Sequence, residues 1–87
     1  MKDEIKNKRK KLIFRSWHRG TREMDLLLGS FADANVPSFT EKELVLYDEL
    51  LKESDPDLYN WYTEREEPPS DIDSPVLRRF MSHKFAG

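Results

Sequence analysis

Cysteine is absent from the 87 residues, glycine occurs three times and histidine twice. The first absence excludes disulfides, thiolate nucleophiles and cysteine-based metal sites, and fits a reducing compartment. With so few glycines, neither G-x-G-x-x-G nor a P-loop can be written; Gly20 alone precedes a helical pattern. A tight, independent nucleotide site is therefore not expected. His18 and His83 stand 65 positions apart, and no His pair at i, i+4 and no EF-hand spacing occurs. That leaves no obvious nucleophile–base pair and no metal set, so the expectation is no catalytic residue and no metal. No apolar run approaches the roughly 20 residues that span a bilayer. The basic N-terminus lacks the apolar stretch of a secretory signal, so no membrane insertion is expected.

What is present is charge, unevenly placed. Residues 1–22 carry nine Lys/Arg against Asp3 and Glu4, a balance of +7, and residues 23–87 carry six basic against fifteen acidic side chains, a balance of −9. Such an electrostatic dipole can be steered towards a partner. The run "KNKRKKL" could contact phosphate backbones. The acidic remainder and the lack of a base-reading helix make a solvated helix face the preferred reading, and nucleic acid is not expected as a partner.

The apolar spacing is helical throughout. A basic first helix is expected over 3–18, with Ile5, Leu12, Ile13, Ser16 and Trp17 on one face. Gly20 suits a left-handed position after it. Thr21 then caps a second helix whose Met24, Leu27, Leu28 and Phe31 form a buried stripe, with Gly29 as a weak point and a close helix contact, and Asn35-Val36-Pro37 as its end. Thr40 and Glu43 form a capping box for a third helix running to about Glu53. Asp55 as N-cap and Pro56 at the first helical position open a fourth, which carries Leu58, Trp61 and Tyr62 and breaks at Glu67-Pro68-Pro69. Ser74-Pro75 starts a short fifth with Val76, Leu77, Phe80 and Met81. The expected fold is all-α: one domain over 1–87, a compact bundle of five short helices, with a core at 19–82 and a fraying tail at 83–87 that includes His83. A chain this short buries only about 60–65% of its unfolded surface, leaving little room for a deep cavity.

Two exposed features invite a partner. Tyr59 points away from the Leu58/Trp61 face and is an amphipathic aromatic beside charges. Arg19-Gly20-x-x-Glu23 reads in two ways: a helix stop with an i, i+4 ion pair worth a few tenths of a kcal/mol, or a fixed, exposed fork of opposite charges at a corner, suited to docking.

The stretch "RGTREMDLLLGSFAD" resembles the R-G-x-x-E signature of the succinate dehydrogenase assembly factor 2 family, which includes the bacterial flavinylation factor SdhE. "LLKESDPDLYNWYTEREEP" resembles that family's second hallmark, D-P-D-L-x-x-W. The similarity covers roughly residues 8–80. It implies a five-helix bundle, not an enzyme, that assists covalent attachment of FAD to the flavoprotein subunit of succinate dehydrogenase, with related fumarate reductases as further clients. It implies that FAD and its acceptor histidine belong to the client, with no cofactor bound tightly here. Carried over by position, Arg19, Gly20 and Glu23 form the client-binding motif, with Asp25 beside it and Trp61 holding the bundle together; Arg22, next to the motif, and the exposed Tyr59 complete the expected client-binding set. Some relatives carry an older toxin–antitoxin label, so an antitoxin-like or nucleic-acid-associated regulator acting through the basic helix is the alternative. Asp3 and Glu4 in the basic head point to the bacterial cytoplasm rather than the mitochondrial matrix.

Overall fold

The computed structural model describes residues 2–84. Among them the chain forms five α-helices and no strand: α1 (Lys2–Trp17), α2 (Arg22–Asn35), α3 (Glu41–Leu50), α4 (Asp55–Tyr62) and α5 (Pro75–Met81). A short 3₁₀ turn, Val36–Ser38, follows α2 and places Pro37 where its missing N–H costs nothing. α1 lies along α2 and α3, and α5 packs on α3 and α4.

The core is built by the stripes that the spacing predicts. Leu12, Met24, Leu27, Leu28, Phe31, Leu44, Tyr47, Leu50, Leu58, Trp61, Val76, Leu77 and Phe80 are all buried. Phe31 is its centre, with ring centroids of Phe39, Tyr47, Phe80 and His83 at 6.2, 5.6, 5.6 and 5.5 Å. One polar pair lies inside: Ser16 Oγ donates to Leu12 O at 2.7 Å, leaving it to accept the Tyr47 hydroxyl at 2.6 Å. Burial pushes the Tyr47 phenol well above its ordinary range and keeps it neutral. Gly29 is the close contact expected of it. A Cβ there would stand 2.2 Å from the Trp17 ring, so the bare backbone of α2 is what lets α1 come so near.

Four local expectations need correction. α3 ends at Leu50, not near Glu53: the Lys52 and Glu53 N–H groups turn back to carbonyls three positions earlier, Ser54 is extended as the next N-cap, and Arg19 takes the carbonyls of Leu51 and Glu53. The N-cap of α4 is Ser54, whose hydroxyl accepts the Asp57 N–H at 3.3 Å, and this frees the Asp55 carboxylate for another partner. α4 stops at Tyr62, well before the prolines, with Glu64 in a left-handed conformation (φ 61°) and the Arg65 N–H returning to Asn60 O at 2.9 Å. This is the Schellman arrangement, here built without glycine. His83 is not part of a loose tail. Its ring stands edge-on to Phe31, its Nε2 lies 3.0 Å from Ser30 Oγ, and its carbonyl accepts the Tyr62 hydroxyl at 2.6 Å. Residues 85–87 of that expected tail lie outside the described residues.

Candidate functional site

The corner between α1 and α2 is built from the backbone outwards. α1 ends at Trp17, and Gly20 turns the chain with φ at +120°, a region that L side chains rarely adopt. The Asp25 carboxylate reaches back from the first turn of α2 and accepts the N–H groups of both Arg19 and Gly20. Thr21 Oγ1 accepts the Met24 N–H at 3.3 Å as N-cap. The N–H groups of Arg19, Gly20 and Met24 thus find acceptors within seven residues, and Asp25 serves the frame rather than presenting its charge.

Arg19 does not form an exposed fork with Glu23. Its side chain turns inwards, with only 12% of it exposed. Nε donates to Asp55 Oδ1 at 2.9 Å, one terminal nitrogen to Leu51 O at 2.6 Å, and the other to Glu53 O at 2.8 Å. The guanidinium therefore caps the C-terminal end of α3 while pairing with an aspartate at the N-terminus of α4. Both placements agree with the helix dipoles. Glu23 and Arg22, by contrast, are exposed, and among the described residues neither has an ion-pair or hydrogen-bond partner for its charged end. What the corner presents is Gly20, Arg22 and Glu23 on a base tied down by Arg19.

Two shallow, open depressions flank this corner, and Thr21 lines both. One is walled by Trp17, His18, Gly20, Arg22, Asp25 and Leu26. The other is floored by Met24, Pro56 and Tyr59, with Glu23 and Asp55 at its edge. Tyr59 is 41% exposed, as its position on α4 predicts, whereas Trp61 is buried at 4%. Met24, Asp55 and Pro56 belong to this surface, whereas the sequence marks them only as core, cap and helix start. Pro56, inside the D-P-D-L stretch, was the available signal.

The corner makes two quantitative predictions. A Cβ built on Gly20 meets nothing within 4 Å, so Gly20→Ala should cost only the backbone penalty of a left-handed alanine, about 1–2 kcal/mol, measured as a modest drop in melting temperature with full helicity. Arg19→Ala strands two carbonyls and a carboxylate. Because water can reach part of that site, the expected loss is about 1–3 kcal/mol, a melting shift of several degrees, with Arg19→Lys recovering part of it.

Neither histidine has the surroundings of a catalytic base. His18 Nδ1 donates to Phe14 O at 2.7 Å and its ring stacks on Phe14 at the surface. His83 does lie beside a serine, but the Ser30 hydroxyl also faces Leu27 O at 3.2 Å, and among the described residues no carboxylate orients the ring. Burial holds the His83 imidazole below its usual range, favouring the neutral form that packs on Phe31. Among the described residues no group of three or more His, Asp and Glu is placed to hold a metal ion, and no helix is long and apolar enough to cross a membrane.

Comparison with known proteins adds an independent line. Residues 10–84 match the Sdh5 family model, described as flavinator of succinate dehydrogenase. The chain is 44% identical over 80 residues to the mitochondrial succinate dehydrogenase assembly factor 2 of Dictyostelium discoideum, covering 92% of this chain and 57% of that protein. It is 45% identical over 83 residues to the protein of the same name from Candida glabrata, covering 95% and 51%. It is 38% identical over 79 residues to the FAD assembly factor SdhE of Acetobacter pasteurianus, covering 91% and 72%. The chain thus spans little more than half the length of these two mitochondrial relatives.

Proposed function

The chain belongs to the family of succinate dehydrogenase flavinators, and from that premise we propose that it is an assembly factor promoting covalent attachment of FAD to the flavoprotein subunit of succinate dehydrogenase. Flavoprotein subunits of fumarate reductases are further clients in this reading. The observation that carries it is the Gly20 corner: an open backbone spot with an unpaired glutamate one helical turn away, braced beneath by Arg19 and Asp25. A flat spot lets another protein's backbone approach closely, and a braced one holds what it touches in a fixed orientation.

The residues present do not fit a resident flavin. The depressions beside the corner are shallow, and no glycine-rich turn presents a row of N–H groups to a pyrophosphate. We therefore assign FAD, with its capacity to form a covalent bond to a side chain, to the client, together with the histidine that it joins. This protein contributes conformation and is not itself the catalyst. Thr21, Glu23 and Tyr59 seat the client's surface while Gly20 admits its backbone, and the client's domains are held so that its own groups meet. Holding reactants in place is worth several kcal/mol of barrier.

The compartment is one where the flavoprotein subunit waits before joining its membrane partners. In this reading that compartment is the bacterial cytoplasm, in line with the bacterial relative, of which the chain covers 72%. The test is deletion of the gene followed by in-gel flavin fluorescence of the denatured client. Covalent flavin should fall and return on complementation; an undiminished signal in the deletion strain refutes the reading.

A further inference from the structure

The basic run of α1 sorts into two sets. Lys8 and Arg15 both face Asp48 of α3, at 4.0 and 2.7 Å, and Arg9 donates to Phe39 O at 2.7 Å, so these three hold α1 to the bundle. Lys6, Lys10 and Lys11 have no such partner among the described residues. Lys10 and Lys11 lie four and three positions before Phe14, and hence on its side of the helix, with Lys6 one turn further back. Phe14 is 63% exposed, opposite the buried Leu12 and Ser16. A single exposed phenylalanine is ordinary on a protein surface. This one is held in place: its ring stacks on His18 at 4.0 Å between centroids, and the His18 ring is itself fixed by its Nδ1–H bond to the Phe14 carbonyl. His18 also lines the depression at Gly20, so the stacked pair joins the outer face of α1 to the corner.

Resting on the reading above, we infer that the client contact continues from the Gly20 corner along the outer face of α1, where Phe14 and His18 anchor an acidic segment of the flavoprotein whose carboxylates meet Lys6, Lys10 and Lys11. A rigid aromatic pair loses little conformational freedom on binding, which is what an interface anchor requires. Unpaired lysines around it give the complementarity for a negatively charged partner. A protein segment fits better than a nucleic acid. The sites that would meet a long polyanion are few, and residues 23–87 carry a balance of −9 that would repel one.

The test titrates the purified client flavoprotein subunit with the full chain, its Phe14→Ala variant, a Lys10→Glu/Lys11→Glu variant and Glu23→Ala, each also melted. Phe14→Ala should melt like the parent and weaken binding roughly tenfold or more. The double reversal should slow association by a similar factor, and its deficit should shrink as salt rises and screens exposed charge. If Phe14→Ala and the reversal both bind like the parent while Glu23→Ala does not, the contact is confined to the corner and the inference is overturned. If the parent itself fails to bind the client, the proposed function falls and this inference with it. Tighter binding of a labelled single-stranded oligonucleotide than of the client, lost in the double reversal, overturns it in favour of nucleic acid.

Discussion

Glu23→Ala should fold as well as the parent and still leave the client's flavin non-covalent. The side chain is exposed and bonds to nothing else among the described residues, so its removal takes only a favourable charge from the first turn of α2. That costs about 0.3–1 kcal/mol. At an interface the same truncation strands the partner's charge, and such losses run to about 2–5 kcal/mol of binding. The difference in scale makes the experiment decisive. Melting curves and covalent client flavin, measured side by side, should separate for Glu23→Ala and move together for Arg19→Ala. Normal flavinylation by Glu23→Ala would reduce the R-G-x-x-E stretch to a structural corner.

Phe31→Ala is the opposite case, with no role at the surface and the largest expected cost in stability. Phe31 is fully buried and touches four rings contributed by the 3₁₀ turn's exit, α3, α5 and the segment after α5. Emptying such a site typically costs about 3–5 kcal/mol. A small domain has about 5–15 kcal/mol in total, so the melting temperature should fall by on the order of 20 °C. Flavinylation should be lost in proportion to the unfolded fraction and return on cooling. A nearly unchanged melting curve would mean that the core closes around the gap, contrary to the packing described here.

Features decided within a few residues of chain were legible in the sequence. The Thr40/Glu43 box has both its bonds, at 2.9 and 3.2 Å, and Thr21, Ser74 and the left-handed Gly20 stand where capping and turn chemistry place them. Helical spacing alone separated buried Trp61 from exposed Tyr59. What escaped is non-local. Arg19 meets residues 32 to 36 positions away, and His83 meets Ser30 across 53. No local pattern tells an arginine at a helix end whether to face water or the carbonyls of another helix. The same blindness made Asp55 look like a cap, since Ser54 beside it is an equally good one and only the position of Arg19 decides between them. The charge run of α1 could be counted but not divided, because Asp48 and the Phe39 carbonyl are supplied by later parts of the chain.

The inward Arg19 also bears on how the molecule opens. One guanidinium joins the α1–α2 corner to the α3–α4 junction, so neither can loosen while those three hydrogen bonds persist. The two loops therefore form a single cooperative unit, although more than thirty residues separate them. In native-state amide exchange, the Arg19 and Gly20 amides should share the protection of the Asp57 and Leu58 amides, which Ser54 accepts at the start of α4, rather than fray like an ordinary surface turn. The surface proposed to meet the client is then also among the last loops to unfold, and an encounter need not first order it.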